Sequence, residues 1–385
     1  MRFNTRLLHG DAQTNPYGAT LPPIVQSSAF AHESAEQLEK IFENKAPGFA
    51  YSRIGNPTVA AFEKRMSVLE GGIDAIACAS GMAAVSMALL AFLRSGDEII
   101  AGSGLFGGTL DLLGNFAAFG IKTTFLESVT AEAVHSAVTP NTRVIFAEYI
   151  GNPKLDVTNI RAVAQAADAH GIALVVDSTT ATPALIRPLE EGAHVVVHSS
   201  SKYINGGGSG ISGVIIPGAR VPATPALEAF QKYGKFAYVQ RIRQDIWRNF
   251  GPCLAPENAY LNCLGLETLG LRMERLCANA AELAAYLEQQ GLEVRYPAIG
   301  AILTVRAGTK ARAFALINAL RYAKIASNIG DVRTLVIHPS STIYLHSSEA
   351  QKRAAGVYDD LIRVSVGIED IADLKEDWRR AIDAT

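Results

Sequence analysis

Between residues 73 and 217, short and nearly all-apolar segments alternate with helical stretches, and no other feature restricts the fold of this chain so tightly. Residues 73–78, 98–101, 121–126, 144–149, 172–176 and 194–198 read as strands. Strands without polar alternation are covered on both faces, and helices between them supply that cover, so a mainly parallel sheet flanked by helices is expected. From Thr58, the residues Val59, Phe62, Met66 and Leu69 recur at helical spacing until Gly71-Gly72 stops them. A second apolar helix is expected from Met82 to about Leu93, ended by Gly96. Thr158 is placed to cap another, with Ile160, Val163, Ala164 and Ala167 on one face and Gly171 at its end.

After about residue 250 the texture changes. Residues 256–290 are expected to form one long helix carrying Leu261, Leu264, Leu269 and Leu276, closed by Gly291. Strand-like pieces at 301–305, 335–338 and 361–365, with a helix at 310–322, indicate an α+β unit. Residues 1–50 are irregular and rich in Pro, Gly and Asn, and an arm of this kind packs over another element or another subunit. The expected architecture is α/β, with an extended N-terminal arm (1–55), a large domain built on a mainly parallel sheet (56–248) and a smaller α+β C-terminal domain (249–385).

The formal net charge of -2, with no basic run, favours neither nucleic acid nor an anionic membrane as partner. No apolar stretch reaches the roughly 20 residues that would span a bilayer. The first thirty residues carry Asp11, Asn15, Pro16, Pro22 and Pro23 and no apolar run, which argues against a signal peptide and for the cytosol. Cys78, Cys253, Cys263 and Cys277 lack zinc-site or disulfide-framework spacing and are expected to be buried thiols. The eight histidines do not cluster, and His194 and His198 fall on a strand, so no metal site is expected.

Lys202 is the first candidate for chemistry. It follows an expected buried strand in His198-Ser199-Ser200-Ser201-Lys202-Tyr203, and in open α/β sheets ligands bind beyond the carboxyl ends of strands. A lysine there, flanked by hydroxyls and followed by Gly206-Gly207-Gly208, can be desolvated and reach an aldehyde. The alternative is a surface lysine in a polar loop. Asp177 ends another strand at the same sheet edge. Facing a pyridinium nitrogen, its carboxylate would keep that nitrogen protonated, although alone it also reads as a helix cap. The spacing of Asp177 and Lys202 on consecutive strand ends favours cofactor chemistry. Ser80-Gly81-Met82 opens a helix whose free N–H groups suit a phosphate, or simply a capped helix. Tyr51-Ser52-Arg53 offers a guanidinium fork for phosphate, or a solvated arm. Arg363 is a lone cation in an apolar strand and needs an anion, either a substrate carboxylate or a structural partner. Gly102-Ser103-Gly104-Leu105-Phe106-Gly107, with Glu127 after it, imitates a dinucleotide fingerprint and supports a different class of enzyme, an NAD-dependent oxidoreductase. That reading leaves Lys202 and Asp177 unexplained. A second match, Gly208 to Gly213, leads into a strand and fails the context test.

Taken together, the motifs are recognisable over almost the whole chain. Tyr51-Ser52-Arg53-Ile54-Gly55-Asn56-Pro57-Thr58, Ser80-Gly81-Met82-Ala83-Ala84, Phe106-Gly107-Gly108-Thr109, Asn152-Pro153, Asp177-Ser178-Thr179, His198 to Tyr203, Gly265-Leu266-Glu267-Thr268-Leu269 and Leu361-Ile362-Arg363-Val364-Ser365-Val366-Gly367 resemble the Cys/Met-metabolism branch of fold-type I pyridoxal-phosphate enzymes. The resemblance implies that Lys202 holds pyridoxal 5′-phosphate and shuttles protons, that Asp177 pairs with the pyridine nitrogen, that Phe106 stacks on the ring and that Asn152 contacts the ring oxygen. It places Ser80, Gly81, Met82, Thr179, Ser199 and Ser201 around the cofactor. Tyr51 and Arg53 would reach in from a neighbouring subunit of a homotetramer built from two catalytic dimers, Tyr51 also bordering the substrate. Ser341 and Arg363 would hold the substrate carboxylate.

Some positions depart from the family. The stacking aromatic is usually Tyr, and Phe106 has no phenol. Methionine γ-lyases tend to carry Cys where this chain has Gly108, and cystathionine-processing members tend to carry Glu near Arg333. Val25 and Thr342-Ile343-Tyr344 are also unusual. The stretches around Asn328 to Asp331, His338 to Thr342 and Gly367 to Asp370 look most like O-acetylhomoserine sulfhydrylase. The activity implied is γ-replacement on an O-acyl-L-homoserine, O-acetyl foremost, with sulfide or a thiol, giving homocysteine or methionine. A γ-elimination lyase giving 2-oxobutanoate and ammonia is the alternative.

Overall fold

Seven strands from the first two thirds of the chain form one sheet: β1 (Ile76–Cys78), β2 (Glu98–Gly102), β3 (Lys122–Leu126), β4 (Thr142–Glu148), β5 (Ala173–Asp177), β6 (Val195–His198) and β7 (Gly213–Pro217). This is a computed structural model, and it describes residues 1–10 and 17–385. The order across the sheet is β1-β7-β6-β5-β4-β2-β3. β7 runs antiparallel to both neighbours and the other pairings are parallel. Every residue of β1, β2, β6 and β7 is buried, which explains why these stretches read as apolar runs. Side chains alternate between two cores: Ala173 and Val175 pack on one face of β5, Leu174 and Val176 on the other.

The arm departs from the expectation of irregular chain. Residues 11–16 of it lie outside the described residues, but the rest contains two short helices, α1 (Phe3–His9) and α2 (Ala35–Phe42). α1 buries Leu7 against α3 (Pro57–Glu70) and the later helices. In α2, Ser34 accepts from the Gln37 N–H at 3.2 Å and the Gln37 side chain accepts from Glu33 N–H, a cap that Ser34-x-x-Gln37 signals in sequence. α3 begins where Asn56 caps Thr58 and Val59 N–H, and ends at Gly71 with φ 77°, a left-handed position suited to glycine. Its Phe62, Met66 and Leu69 are fully buried, each contributing about 1.5–3 kcal/mol through burial. α4 (Gly81–Leu90) and α5 (Gly107–Asn115) follow β1 and β2, and α6 (Ala131–Ala137) precedes β4. α7 (Ile160–His170) is capped by Asn159, whose side chain accepts from Ala162 N–H at 3.1 Å. Thr158, the expected cap, instead donates to the Glu148 carbonyl at 2.7 Å and ties the loop back to β4.

The C-terminal part carries a second sheet of β8 (Glu293–Arg295), β9 (Ile302–Arg306), β10 (Lys324–Ile325), β11 (Leu335–Ile337) and β12 (Leu361–Ser365), ordered β10-β11-β12-β9-β8. The helix expected over 256–290 is two helices, Pro256–Glu267 and Leu269–Gln289, broken at Thr268 (φ -109°, ψ 5°). Apolar periodicity runs through the break and hides it. A third helix, Ile371–Asp383, packs Leu374, Trp378 and Ala381 into the core at i, i+4, i+7 spacing. No helix among the described residues is long and apolar enough to cross a membrane. Cys78 and Cys263 are buried as expected, whereas Cys253 and Cys277 are only partly so.

Candidate active site

The carboxyl ends of β1, β2, β4, β5 and β6 open onto one cavity of about 380 Å³, roofed by Ser327, Asn328, Ile329 and Arg363 of the second sheet and its loops. Parallel strands bring their ends to one edge, so residues as far apart in sequence as Ser80 and Lys202 meet there.

Lys202 follows β6. Its Nζ donates to Asn328 Oδ1 at 2.5 Å, and burial, then the charge of Arg363, pushes its ammonium below the ordinary lysine range. That favours the neutral, nucleophilic amine. Asp177 ends β5 on the same cavity, and Thr179 N–H donates to its Oδ1 at 2.8 Å. The helix-cap alternative does not apply, since the next helix begins only at Thr182. Burial raises the Asp177 carboxyl, which a cation seated against it would reverse. Asn152 and Phe106 line the same cavity.

At the other end of the cavity, Gly81 and Met82 form the first turn of α4, where N–H groups have no intrahelical acceptor. Ser80 caps the helix through Ala83 N–H at 3.1 Å. A Cβ on Gly81 would stand 2.5 Å from Ser199 Cβ, so only glycine lets the helix terminus and the Ser199 loop close up into a cradle. Thr179 Oγ1 accepts from Ser199 N–H at 2.8 Å, and its hydroxyl hydrogen-bonds the Asp177 carboxylate, so Thr179 ties the Ser199 loop to Asp177. Ser201 lines the cavity too, but its hydroxyl donates to Ser212 O at 3.0 Å and accepts from Ser212 N–H at 2.8 Å. Its single O–H is therefore engaged.

Arg363 is 3% exposed and sits between Ile362 and Val364, which face the core. Its Nη1 is 3.3 Å from Asn152 Oδ1 and its Nη2 donates to Asn328 O at 3.0 Å, while the buried Nε has no partner. Among the described residues no carboxylate forms an ion pair with it, and burial pushes its guanidinium down to about 10.

Three expected residues are not in this lining. Tyr51 is 43% exposed; Arg53 lies over its ring and donates to Arg248 O at 2.8 Å. Both sit on the outside of the chain that carries them. The Ser341 hydroxyl is paired with His338 Nδ1 at 2.8 Å, which holds it at the neighbouring turn. Val25 and Arg333 also lie elsewhere, and Tyr344 is buried with its hydroxyl donating to Leu105 O at 3.0 Å.

The dinucleotide alternative fails on geometry. Residues from Gly102 do lead from β2 into α5, but Phe106 N–H at the helix entrance donates to Glu148 Oε1 at 2.7 Å. The anion position is already filled by the chain's own carboxylate. The space beside Gly102, Gly104 and Glu127 is about 30 Å³, room for water and not for a nucleotide.

Residues 4–383 match the family described as Cys/Met metabolism PLP-dependent enzyme. The chain belongs to that family. It is 38% identical to the O-acetyl-L-homoserine sulfhydrylase of Corynebacterium glutamicum, covering 97% of this chain and 95% of that protein. It is 34% identical to the L-methionine gamma-lyase of Treponema denticola, over 99% and 96% of the two chains. A crystal structure of a putative O-acetylhomoserine (thiol)-lyase from Campylobacter jejuni, containing N′-pyridoxyl-lysine-5′-monophosphate, superposes with a TM-score of 0.94 at 30% identity over the full length of both chains. The protein is thus a pyridoxal-phosphate-dependent enzyme of the fold-type I class.

The residues present fit that cofactor. The Gly81–Ser199 cradle suits a phosphate, the desolvated amine of Lys202 suits its aldehyde, and a buried carboxyl at Asp177 suits its ring nitrogen. Three residues of this family member were not singled out from sequence. Asn328 holds Lys202. Arg272 donates to Tyr203 O and Gly265 O, each at 2.6 Å, and so pins the loop that follows Lys202. Glu148 lines the cavity beside Asp177. Glu148 left a trace in the sequence, as a charged residue near the end of an apolar strand, and Asn328 opens one of the family-like stretches.

Proposed function

We propose that this enzyme catalyses γ-replacement on an O-acyl-L-homoserine, O-acetyl-L-homoserine foremost, with sulfide or a thiol as nucleophile, yielding homocysteine or methionine. The observation that carries an amino-acid substrate is the pairing, in one cavity, of the desolvated Lys202 amine with the buried Arg363 guanidinium, which forms no ion pair with a carboxylate among the described residues. The likeness to the C. glutamicum sulfhydrylase supports the choice of γ-chemistry.

Pyridoxal phosphate, when bound, supplies an electron sink for charge developing on the substrate. Lys202 would hold it and move the protons: its amine would take one from Cα, assist removal of one from Cβ, and return one to each carbon as product forms. Asp177 keeps the ring nitrogen protonated. Gly81, Met82, Ser80 and Ser199 would hold the phosphate, with Ser201 shaping their loop and Thr179 linking Ser199 to Asp177. Asn152 contacts the ring oxygen, and Arg363 grips the carboxylate with its planar fork. Phe106 offers a ring face and no hydroxyl, so proton transfer falls on Lys202. The Cγ–O bond breaks, acetate leaves, and the Cγ–S bond forms as the nucleophile gives up its proton.

Tyr51 and Arg53 are exposed and outside their own chain's cavity, which supports their serving a neighbouring subunit in a homotetramer of two catalytic dimers. On this reading residues 1–55 are the arm, 56–248 the cofactor-binding domain and 249–385 the carboxylate-binding domain of a cytosolic enzyme. γ-Elimination is the second reading, favoured by the likeness to the T. denticola methionine gamma-lyase. Supplying O-acetyl-L-homoserine with and without sulfide decides between them. Homocysteine formed only with sulfide supports replacement, whereas 2-oxobutanoate and ammonia from methionine or homocysteine would move the enzyme to the lyases.

A further inference from the structure

We propose that Glu148 is a positioning residue that sets the Phe106 ring and the Asn152 amide on the cofactor cavity by gripping both backbones with one carboxyl group. The inference rests on the cofactor reading above, since Phe106 and Asn152 matter here as walls of that cavity.

Glu148 is the last residue of β4 and pairs in register with Asp177, the last residue of β5. Its carboxyl group therefore emerges on the cavity and not in bulk solvent. Oε1 accepts from Phe106 N–H at 2.7 Å, and Oε2 accepts from Asn152 N–H at 3.2 Å. The two residues are 46 positions apart in sequence, on the loops after β2 and β4. Phe106 is the N-cap of α5, and Glu148 supplies from another strand the acceptor for its N–H that a Glu or Gln at the third helical position would supply locally. The Phe106 ring is 36% exposed, so packing holds it weakly and its position follows its backbone. Asn152 in turn faces Arg363, which extends the grip to the group that would bind the substrate carboxylate. Burial, and next the charge of Asp177, raise the Glu148 carboxyl well above the usual range, while the two N–H groups oppose that rise. The two N–H donors favour the ionised form, in which both oxygens act as acceptors alone, and so work against the effect of burial.

The chemistry predicts the effect of Glu148→Gln. The amide keeps one acceptor and turns an NH₂ toward the other N–H, leaving one of the two donors unpaired. In protein reconstituted with pyridoxal phosphate, the visible circular dichroism of the bound cofactor should lose intensity. Cofactor affinity, titrated on the apoprotein by absorbance, should weaken roughly 10- to 100-fold, the effect of one lost charge-assisted bond. Turnover should fall with less change in KM. A variant whose cofactor affinity stays within about twofold of wild type, with an unchanged spectrum, overturns the inference while leaving the functional reading intact. Wild-type protein that takes up no pyridoxal phosphate overturns both. Glu148→Asp, which keeps the charge but withdraws it by one methylene, serves if the Gln variant does not fold, with the same expected losses. Should neither fold, hydrogen–deuterium exchange on the wild-type holoenzyme reads the two amides directly. Slow exchange at Phe106 and Asn152 is expected, and exchange at the rate of an open loop would refute the grip.

Discussion

Arg363→Lys tests the carboxylate site most directly, because the structure sets the size of the effect. The guanidinium is 3% exposed and is held by two neutral acceptors, Asn328 O at 3.0 Å and Asn152 Oδ1 at 3.3 Å, the second near the limit of a hydrogen bond. Nε has no partner, so the group has donor capacity to spare for an incoming anion. A planar fork meets a carboxylate with two parallel bonds, whereas an ammonium on a flexible stem meets it as a point charge. The lysine variant keeps the charge and loses one charge-assisted bond of about 1.5–3 kcal/mol, which corresponds to a rise in KM of about 10- to 150-fold. The assay is homocysteine formation from O-acetyl-L-homoserine at saturating sulfide, with the cofactor's visible absorption as control. That absorption should not change, because the lysine variant keeps the positive charge that Arg363 presents to Lys202. A KM within about threefold of wild type for Arg363→Lys would show that the substrate carboxylate binds elsewhere.

Lys202→Ala should abolish both turnover and the visible absorption of lysine-bound cofactor, and an active, yellow variant would remove Lys202 from its role. Asp177→Asn should still bind cofactor but lose about 10²- to 10³-fold in kcat, because the ring nitrogen is no longer held protonated; a wild-type rate would refute that function. Phe62→Ala, at a fully buried position of α3, should cost about 3–5 kcal/mol in urea unfolding, and a loss below about 1 kcal/mol would contradict the packing. Burial pushes the Cys277 thiol up to about 11, so its thiolate fraction falls as pH drops below that value. Its alkylation should be slow at pH 8 and rise about tenfold per pH unit towards 11, and a rate that levels off below pH 9 would contradict its burial.

Some elements were legible because their cause is local. The strands on either side of Lys202 and Asp177 are buried on both faces, and β5 and β6 appear within a residue of their expected limits. Gly71 and Gly171 end helices at left-handed positions, as their place after apolar periodicity implies. The misreadings have a common origin in contacts between distant segments. α1 exists because Leu7 is buried among helices far along the chain, and no capping side chain announces it. Thr158 was a plausible cap, but the Glu148 carbonyl claims its hydroxyl and Asn159 takes over. The break at Thr268 occurs where Gly265 presses against the backbone of Ile204 and Asn205, a close approach that periodicity does not register.

The sequence by itself determined the sheet class, the strand ends carrying Asp177 and Lys202, and, through its motifs, the family. These depend on hydrophobic pattern, on turn residues and on a spacing that follows the chain. Tertiary structure alone decided that Asn328 holds Lys202, that Arg272 pins the loop behind it, and that Glu148 grips two loops at once. It also decided that Ser201 is engaged by Ser212 and that Arg363 pairs with no carboxylate among the described residues. Hydrogen-bond partners and desolvation are properties of points in space, and residues more than a hundred positions apart share such a point only after the sheets have assembled.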